Sequence, residues 1–236
     1  MRLSVFLITV LFAYQTFACQ FKAGVREFPP YSYQVNNQWQ GFDIQVLTQL
    51  VLSVNCQITF VEAPFGEALK MLRSGNIDLL MHLSMSGDRG KDINFLGPIR
   101  TQYISLLTSN KVSSPIANIK DIIELPYTFG HRQGIFIGNE FDENRRNISS
   151  FANKFVEVNQ ASNLIRLIQR NRIDGFFEDH HYNEYLLAND QAANIMIAQP
   201  LKFSIGDVYL GVSKKSVSPF HTKALQKALN NMLLPY

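Results

Sequence analysis

The densest group of side chains able to hold a metal or carry a proton is Glu178-Asp179-His180-His181, four consecutive residues that open the stretch HHYNEYLL. Two carboxylates and two imidazoles hold a divalent cation only where several of them converge. Adjacent histidines at the start of one helix point in different directions, so no metal is expected here. Asp179 has a plainer role open to it, because an aspartate just ahead of a helix accepts hydrogen bonds from the free N–H groups of the first turn. His131, beside Arg132, reads as a turn residue rather than a base. No GxSxG elbow, HExxH motif, P-loop or GxGxxG run occurs, and neither cysteine has a catalytic context if the two are paired. The expectation is a binding protein without cofactor, and not an enzyme.

The leader MRLSVFLITVLFAYQTFA carries one early cation, Arg2, then a short apolar run from Val5 to Ala13 and small residues before Cys19. That is the pattern of a secretory signal peptide over residues 1–18. The run is well short of the roughly 20 apolar residues a spanning helix needs, and no later stretch reaches that length. Phe17 is bulky where a lipoprotein signal prefers small residues, so simple cleavage is favoured over acylation of Cys19. The mature chain is therefore expected to be soluble and periplasmic. With 46% hydrophobic and 17% charged residues it can bury a real core, which excludes disorder. The formal charge of +3 falls to +2 without Arg2, and no Lys/Arg run is long enough for a nucleic-acid stripe.

Hydrophobic period then places the elements. CQFKAGVRE reads as a strand, GFDIQVLTQLVLSVN as a helix with Ile44, Leu47, Leu50 and Val51 on one face, and CQITFVEA as a second strand. PFGEALKMLRSGN, with Pro64 near its start and Gly75 at its end, reads as a helix, and IDLLMHL as a buried strand. FVEV, then a helix SNLIRLIQRN capped by Ser162, then the strand RIDGFF repeat the grammar in a second α/β unit. β-rich stretches at Tyr103–Thr108 and in SIGDVYLGVSKK would cross between the two units, and HTKALQKALNNML closes the chain as a helix. Alternation of strands and helices implies mostly parallel sheet. If the first two strands lie side by side and parallel, Cys19 and Cys56 meet at one edge and pair as a disulfide; two unrelated thiols, or a lipid on Cys19, are the alternatives. Ligands of such sheets sit beyond the carboxyl ends of the strands, among the loops there.

FPPYSY followed by GFDIQVLTQL, then PFGEALKMLRSGNIDLL, SMSGDRGKDINFLGPI and NRIDGFFEDHHYNEYLL together resemble the family 3 extracellular solute-binding proteins, receptors of polar amino-acid ABC transporters. The resemblance spans essentially the whole mature chain. It implies an α/β, type II periplasmic-binding fold: two lobes, residues 19–102 with 203–236 and residues 103–202, joined by a two-strand hinge around a ligand cleft. It also implies roles for single residues. Arg89 matches the arginine that holds the ligand α-carboxylate, for which a planar fork of donors is well suited; otherwise it is a loop arginine beside Asp88 and Asp92. Asp179 matches the acid that accepts from the α-ammonium group. Phe28 and Phe65 match aromatic positions flanking the ligand side chain, and Ser84 adds a contact to the carboxylate. Departures from the pattern are Gln45 where an acid is usual and Val25 where an acid selects basic side chains, which argues against lysine or arginine. Phe136, in Gln133-Gly134-Ile135-Phe136, replaces a threonine that helps grip the carboxylate, and is expected to narrow the cleft or to recruit an aromatic ligand.

What the resemblance implies is a monomeric receptor that delivers a small amino-acid-like ligand to an inner-membrane ABC permease, with no nucleic-acid partner. The alternatives on the same scaffold are a sensory or accessory module, and an enzyme resembling the cyclohexadienyl dehydratases with Glu178 or Asp179 as general acid.

Overall fold

A computed structural model of the chain describes residues 19–85, 87–133, 135–189 and 194–233. The expected signal peptide, residues 1–18, and Gly134 of the Gln133–Phe136 turn lie outside the described residues.

Strand β1 (Cys19–Val25) leads into a loop and a short hairpin, β2 (Tyr33–Val35) and β3 (Gln38–Gln40), that the hydrophobic period did not reveal. Its turn is Asn36-Asn37, both at positive φ (51° and 61°), the geometry two-residue hairpin turns require and asparagine tolerates. Helix α1 (Phe42–Ser53) buries Ile44, Leu47, Leu50 and Val51, and with them Asp43. Strand β4 (Cys56–Glu62) pairs parallel to β1 with Cys19 opposite Cys56. The two cysteines form a disulfide with their Cα atoms 4.8 Å apart. Helix α2 (Phe65–Ser74) stops at Gly75, whose φ of 82° gives a left-handed cap. Strand β5 (Leu79–Ser84) and a 3-10 turn (Gly87–Lys91) complete the first α/β unit.

The second unit holds α3 (Ile119–Glu124), β7 (Phe129–Arg132), α4 (Asn139–Asn147), α5 (Ser149–Ala152), β8 (Phe155–Val158), α6 (Ala161–Gln169), β9 (Gly175–Asp179) and α7 (His180–Asn189). Ser162 does not cap α6: the N-cap position falls to Gln160, without a side-chain hydrogen bond, because the helix begins at Ala161. Two long strands, β6 (Ile93–Ser109) and β10 (Met196–Ser213), run antiparallel to each other through the middle of the sheet, and α8 (Pro219–Leu233) returns to the first unit. The β-rich stretches read from the sequence are parts of these longer strands.

The eight-stranded sheet has the order β4-β1-β5-β10-β6-β9-β7-β8. Parallel pairs lie at both ends, β1 with β4 and β5, and β7 with β8 and β9. One end of β6 and β10 thus belongs to each unit. Separate cores result. Phe21, Leu47, Leu50, Leu79, Leu210 and Leu225 pack in the first unit, and Ile104, Phe129, Phe141, Phe151 and Phe177 in the second. A further cluster joins Phe28 and Tyr31, from the loop after β1, to Leu107, Leu164, Phe176 and Tyr182 of the second unit. Among the described residues no helix is long and apolar enough to cross a membrane.

Candidate functional site

The loop Phe28–Ser32 is fastened to the start of α1, where helix N–H groups lack intrahelical partners. Asp43 N–H donates to the Tyr31 carbonyl (2.9 Å) and Phe42 N–H to that of Pro30 (3.2 Å). Gly41 makes this approach possible: its φ is 113°, and a side chain there would collide with the Tyr31 carbonyl. Tyr31 is thereby aimed at the end of β9. Its hydroxyl donates to Asp179 Oδ1 (3.0 Å) and lies 2.8 Å from His181 Nδ1.

Asp179 is fully buried and its carboxylate is saturated. Oδ1 also accepts from the backbone N–H groups of His181 (3.0 Å) and Tyr182 (3.3 Å), which makes Asp179 the cap of α7. Oδ2 accepts from Arg100 (2.9 Å) and Gln102 (3.0 Å). Burial opposes the charge, but Arg100, His82 and the hydrogen bonds from Arg100 and Tyr31 outweigh it and hold the carboxyl below its ordinary range. Burial, and then the Asp179 charge, push the Tyr31 hydroxyl well above the usual tyrosine value.

Glu178 is equally buried and equally occupied. Arg132 grips it with both prongs, Nε to Oε2 and Nη2 to Oε1 (2.9 Å), while Oε1 also accepts from Asp179 N–H (2.8 Å). Burial works against the Arg132 charge, yet the Glu178 carboxylate raises its pKa above the ordinary value. The Arg132 guanidinium lies 4.8 Å from the centre of the Phe28 ring.

Arg26 also lies against Phe28, with its guanidinium 4.6 Å from the Phe28 centroid and 5.0 Å from that of Phe65. Its Nε is buried without a hydrogen-bond partner. Burial, then the Arg132 charge, lower its pKa to about 9. A small cavity beside it is lined by Ser32, Asp43 and His82. His82 occupies a left-handed conformation (φ 62°) inside strand β5, a costly geometry for a residue other than glycine. Its Nε2 is 2.7 Å from Asp43 Oδ2, and its Nδ1 is 3.2 Å from Arg100 Nη2. A guanidinium only donates, so Nδ1 accepts from Arg100, while Nε2, though close to Asp43, is buried without a hydrogen-bond partner.

Phe28 and Phe65, singled out in the sequence, are brought together, with Arg26 between them. Asp179 joins them through Tyr31 and Arg100, and Glu178 through Arg132. Arg89 lies in the 3-10 turn, partly buried, and donates to the Ser84 carbonyl (3.1 Å); burial and then Arg73 lower its pKa. Among the described residues Arg89 forms no ion pair with an acid and no hydrogen bond with the groups around Asp179. Phe136 stands in the irregular segment between β7 and α4, partly buried, with no ring contact among the described residues.

Arg26, Tyr31, His82, Arg100 and Arg132 were not recognised from sequence. His82 had a signal, as a polar residue inside the apolar run LLMHL of the strand. Arg132 was visible beside His131 but read as part of a turn. One triad could suggest a metal: the ligand atoms of Cys19, Cys56 and His221 lie within 4.8 Å of one another. The cysteines are joined to each other and offer no thiolate, so these residues do not fit a metal ion.

Residues 21–234 match the family model of bacterial extracellular solute-binding proteins, family 3. The arginine-binding protein 1 of an Escherichia coli K12 ABC transporter is 25% identical over 212 residues, covering 87% of this chain and 80% of that protein. A probable histidine-binding protein of Campylobacter jejuni is 21% identical over 168 residues, 69% of this chain and 60% of that one. Among solved structures, an amino acid ABC transporter substrate-binding protein of Streptococcus pneumoniae, bound to L-arginine, superposes with a TM-score of 0.75 at 17% identity, over 91% of this chain and 88% of that one. The fold is that of the periplasmic binding proteins, type II, and the chain belongs to family 3 of the bacterial extracellular solute-binding proteins.

Proposed function

We propose that this chain is a periplasmic receptor that captures a small amino-acid-like solute by closing two lobes around it and passes it to an ABC permease. The lobes of this reading are residues 19–102 with 203–236, and residues 103–202. The observation that carries it is the contact between them: Tyr31 bonds to Asp179 and Arg132 lies over Phe28. The same contact includes the apolar cluster of Phe28 and Tyr31 with Leu107, Leu164, Phe176 and Tyr182, and these ion pairs, hydroxyls and rings are what would part and re-form as the cleft opens and closes. The relatives' names support an amino-acid ligand, and the disulfide suits an oxidising compartment. Arg89 with Ser84 is assigned to the ligand carboxylate, Phe28, Phe65 and Phe136 to the ligand body, and Asp179 to the wall that completes the site on closure. The protein is taken to act as a monomer.

The test is a thermal-shift screen of the mature protein against amino acids, small peptides, polyamines and organic acids, because a ligand selective for the native state raises its melting temperature. A saturable shift with a small solute supports the reading. Absence of any shift, together with turnover of prephenate or arogenate, would replace it with the enzyme alternative.

A further inference from the structure

We infer that the solute is an anion with two carboxylate groups, and that Arg26 selects for the second of them. This rests on the solute-binding reading above and departs from the basic ligands named for its relatives. Four observations converge on it.

First, the two rings assigned to the ligand side chain already hold a cation. The Arg26 guanidinium lies within 4.6 Å of the centre of Phe28 and 5.0 Å of that of Phe65. A ring pair so placed gives a cationic ligand its favourable contact in the absence of such an arginine. Here the same contact goes to the protein's own side chain, and an arginine, lysine or histidinium entering would meet a like charge.

Second, the acids of the cleft are taken. Asp179 accepts from Tyr31, Arg100, Gln102 and two backbone N–H groups. Glu178 accepts both prongs of Arg132. Asp43 is turned to His82, with one oxygen at 2.7 Å from the ring; its other oxygen is buried without a partner, on the wall of the small cavity it shares with Arg26. At Asp179 and Glu178 a cationic side chain would have to displace an arginine, and at Asp43 it would meet the Arg26 guanidinium on the same cavity wall.

Third, two guanidinium groups have no such partner. Among the described residues neither Arg26 nor Arg89 forms an ion pair or hydrogen bond with an acid, whereas Arg100 and Arg132 both do. Burial lowers the pKa of both unpaired arginines. The charges of Glu178, Asp43 and Asp179 offset part of the burial of Arg26, but a buried cation without a hydrogen-bonded acid is costly, and an arriving carboxylate lowers that cost while gaining a charge-assisted bond.

Fourth, Arg26 follows the last residue of β1, at the carboxyl end of a parallel strand, where ligands of open α/β sheets are held. Arg26 and Arg89, each without an acid partner among the described residues, are assigned one carboxylate each of a single small molecule; Arg73, likewise without an acid partner, adds its positive charge beside Arg89. The chemistry is shared by acidic amino acids and by plain dicarboxylic acids.

The experiment is titration calorimetry on the mature protein and on Arg26→Gln. The ligands are L-glutamate, L-aspartate, glutarate and succinate, the neutral amides L-glutamine and L-asparagine, and L-arginine and L-histidine. The wild type is expected to bind at least one dicarboxylate about tenfold or more tightly than its monoamide, the scale of one charge-assisted hydrogen bond. In Arg26→Gln that ratio is expected to fall close to one. Glutamate against glutarate tells whether the amino group contributes. Tighter binding of arginine or histidine, or an unchanged ratio in the variant, overturns the inference and leaves the solute-binding reading standing. Failure of the whole panel to bind counts against both. If Arg26→Gln does not fold, the wild-type order of charges still decides.

Discussion

Arg100 and Asp179 meet at 2.9 Å between two strands of the sheet, β6 and β9, with the carboxylate fully buried and the arginine side chain only 16% exposed. The acid that the family resemblance assigned to a ligand ammonium group is thus held by an internal cation. Removing one partner of such a pair leaves a buried charge uncompensated, which typically costs about 3–5 kcal/mol. Asp179→Ala is expected to lower unfolding stability on that scale. Arg100→Met combined with Asp179→Ala should cost less than the two single changes added together. Urea denaturation of the four proteins in the cycle measures the coupling, and strict additivity would show that the pair contributes nothing as a pair.

Acidification should weaken the fold through His131. The His131 Nδ1–H donates to the Arg132 carbonyl (3.0 Å) and Nε2 accepts from Arg145 (3.0 Å), so both nitrogens are satisfied only in the neutral ring. Burial is the main force lowering its pKa, with Arg145 acting the same way, while the Arg132 carbonyl, Glu157 and Glu178 act against it. The unfolded chain takes up the proton near pH 6.5, before the folded one does. The stability held by the neutral ring is therefore complete above that pH and lost progressively as pH falls below it. His180, whose pKa is also lowered, first by burial, adds a loss of the same sign. Urea midpoints between pH 5 and 8 should fall with pH in the wild type and fall less steeply in His131→Gln. Parallel curves would assign the dependence elsewhere.

Much of the fold was legible because period and punctuation agreed. Leu47, Leu50 and Val51 repeat at helical spacing and are buried together, Gly75 stands where α2 ends, and Cys19 and Cys56 open two strands that pair in register. The hairpin β2–β3 was missed because its strands, Tyr33–Val35 and Gln38–Gln40, are short and mostly exposed, so no burial alternation marks them. The site was legible only in part. Resemblance picks residues by type and position, and so singled out Phe28, Phe65 and Asp179, which lie close to Arg26, Arg132 and Tyr31. It is silent on what fills the space between them. Arg100 and Arg132 act through acids 79 and 46 residues away, and Arg26 lies against the rings of Phe28 and Phe65; such pairings leave no local spacing to read.

The role proposed for Arg89 predicts a larger effect on binding than on folding. It is partly buried, and its described hydrogen bond goes to the Ser84 carbonyl, five residues back in the chain. Losing one such bond costs about 1 kcal/mol. Arg89→Ala is expected to unfold within about that margin of the wild type and to lose its calorimetric binding signal for the solute identified by the screen. Undiminished affinity in the variant would remove Arg89 from the site, and a large fall in stability would make it a structural residue.

The disulfide should be worth more to the fold than any single surface contact. Cys56 is fully buried in the core of the first unit, and the bridge to Cys19 closes a loop with a sequence separation of 37 residues. Closing a loop of that size stabilises by about 2–4 kcal/mol, chiefly by restricting the unfolded chain. The bridge also ties the edge strand β4 to β1 at one end of the sheet, so its loss should loosen that edge first. Urea midpoints measured with and without reductant should differ by that amount in the wild type. A Cys19→Ser, Cys56→Ser double variant should resemble the reduced protein and ignore the reductant. If reductant shifts both proteins equally, its effect is not on this bond; if it shifts neither, the bridge adds nothing and the packing of Cys56 alone holds the edge.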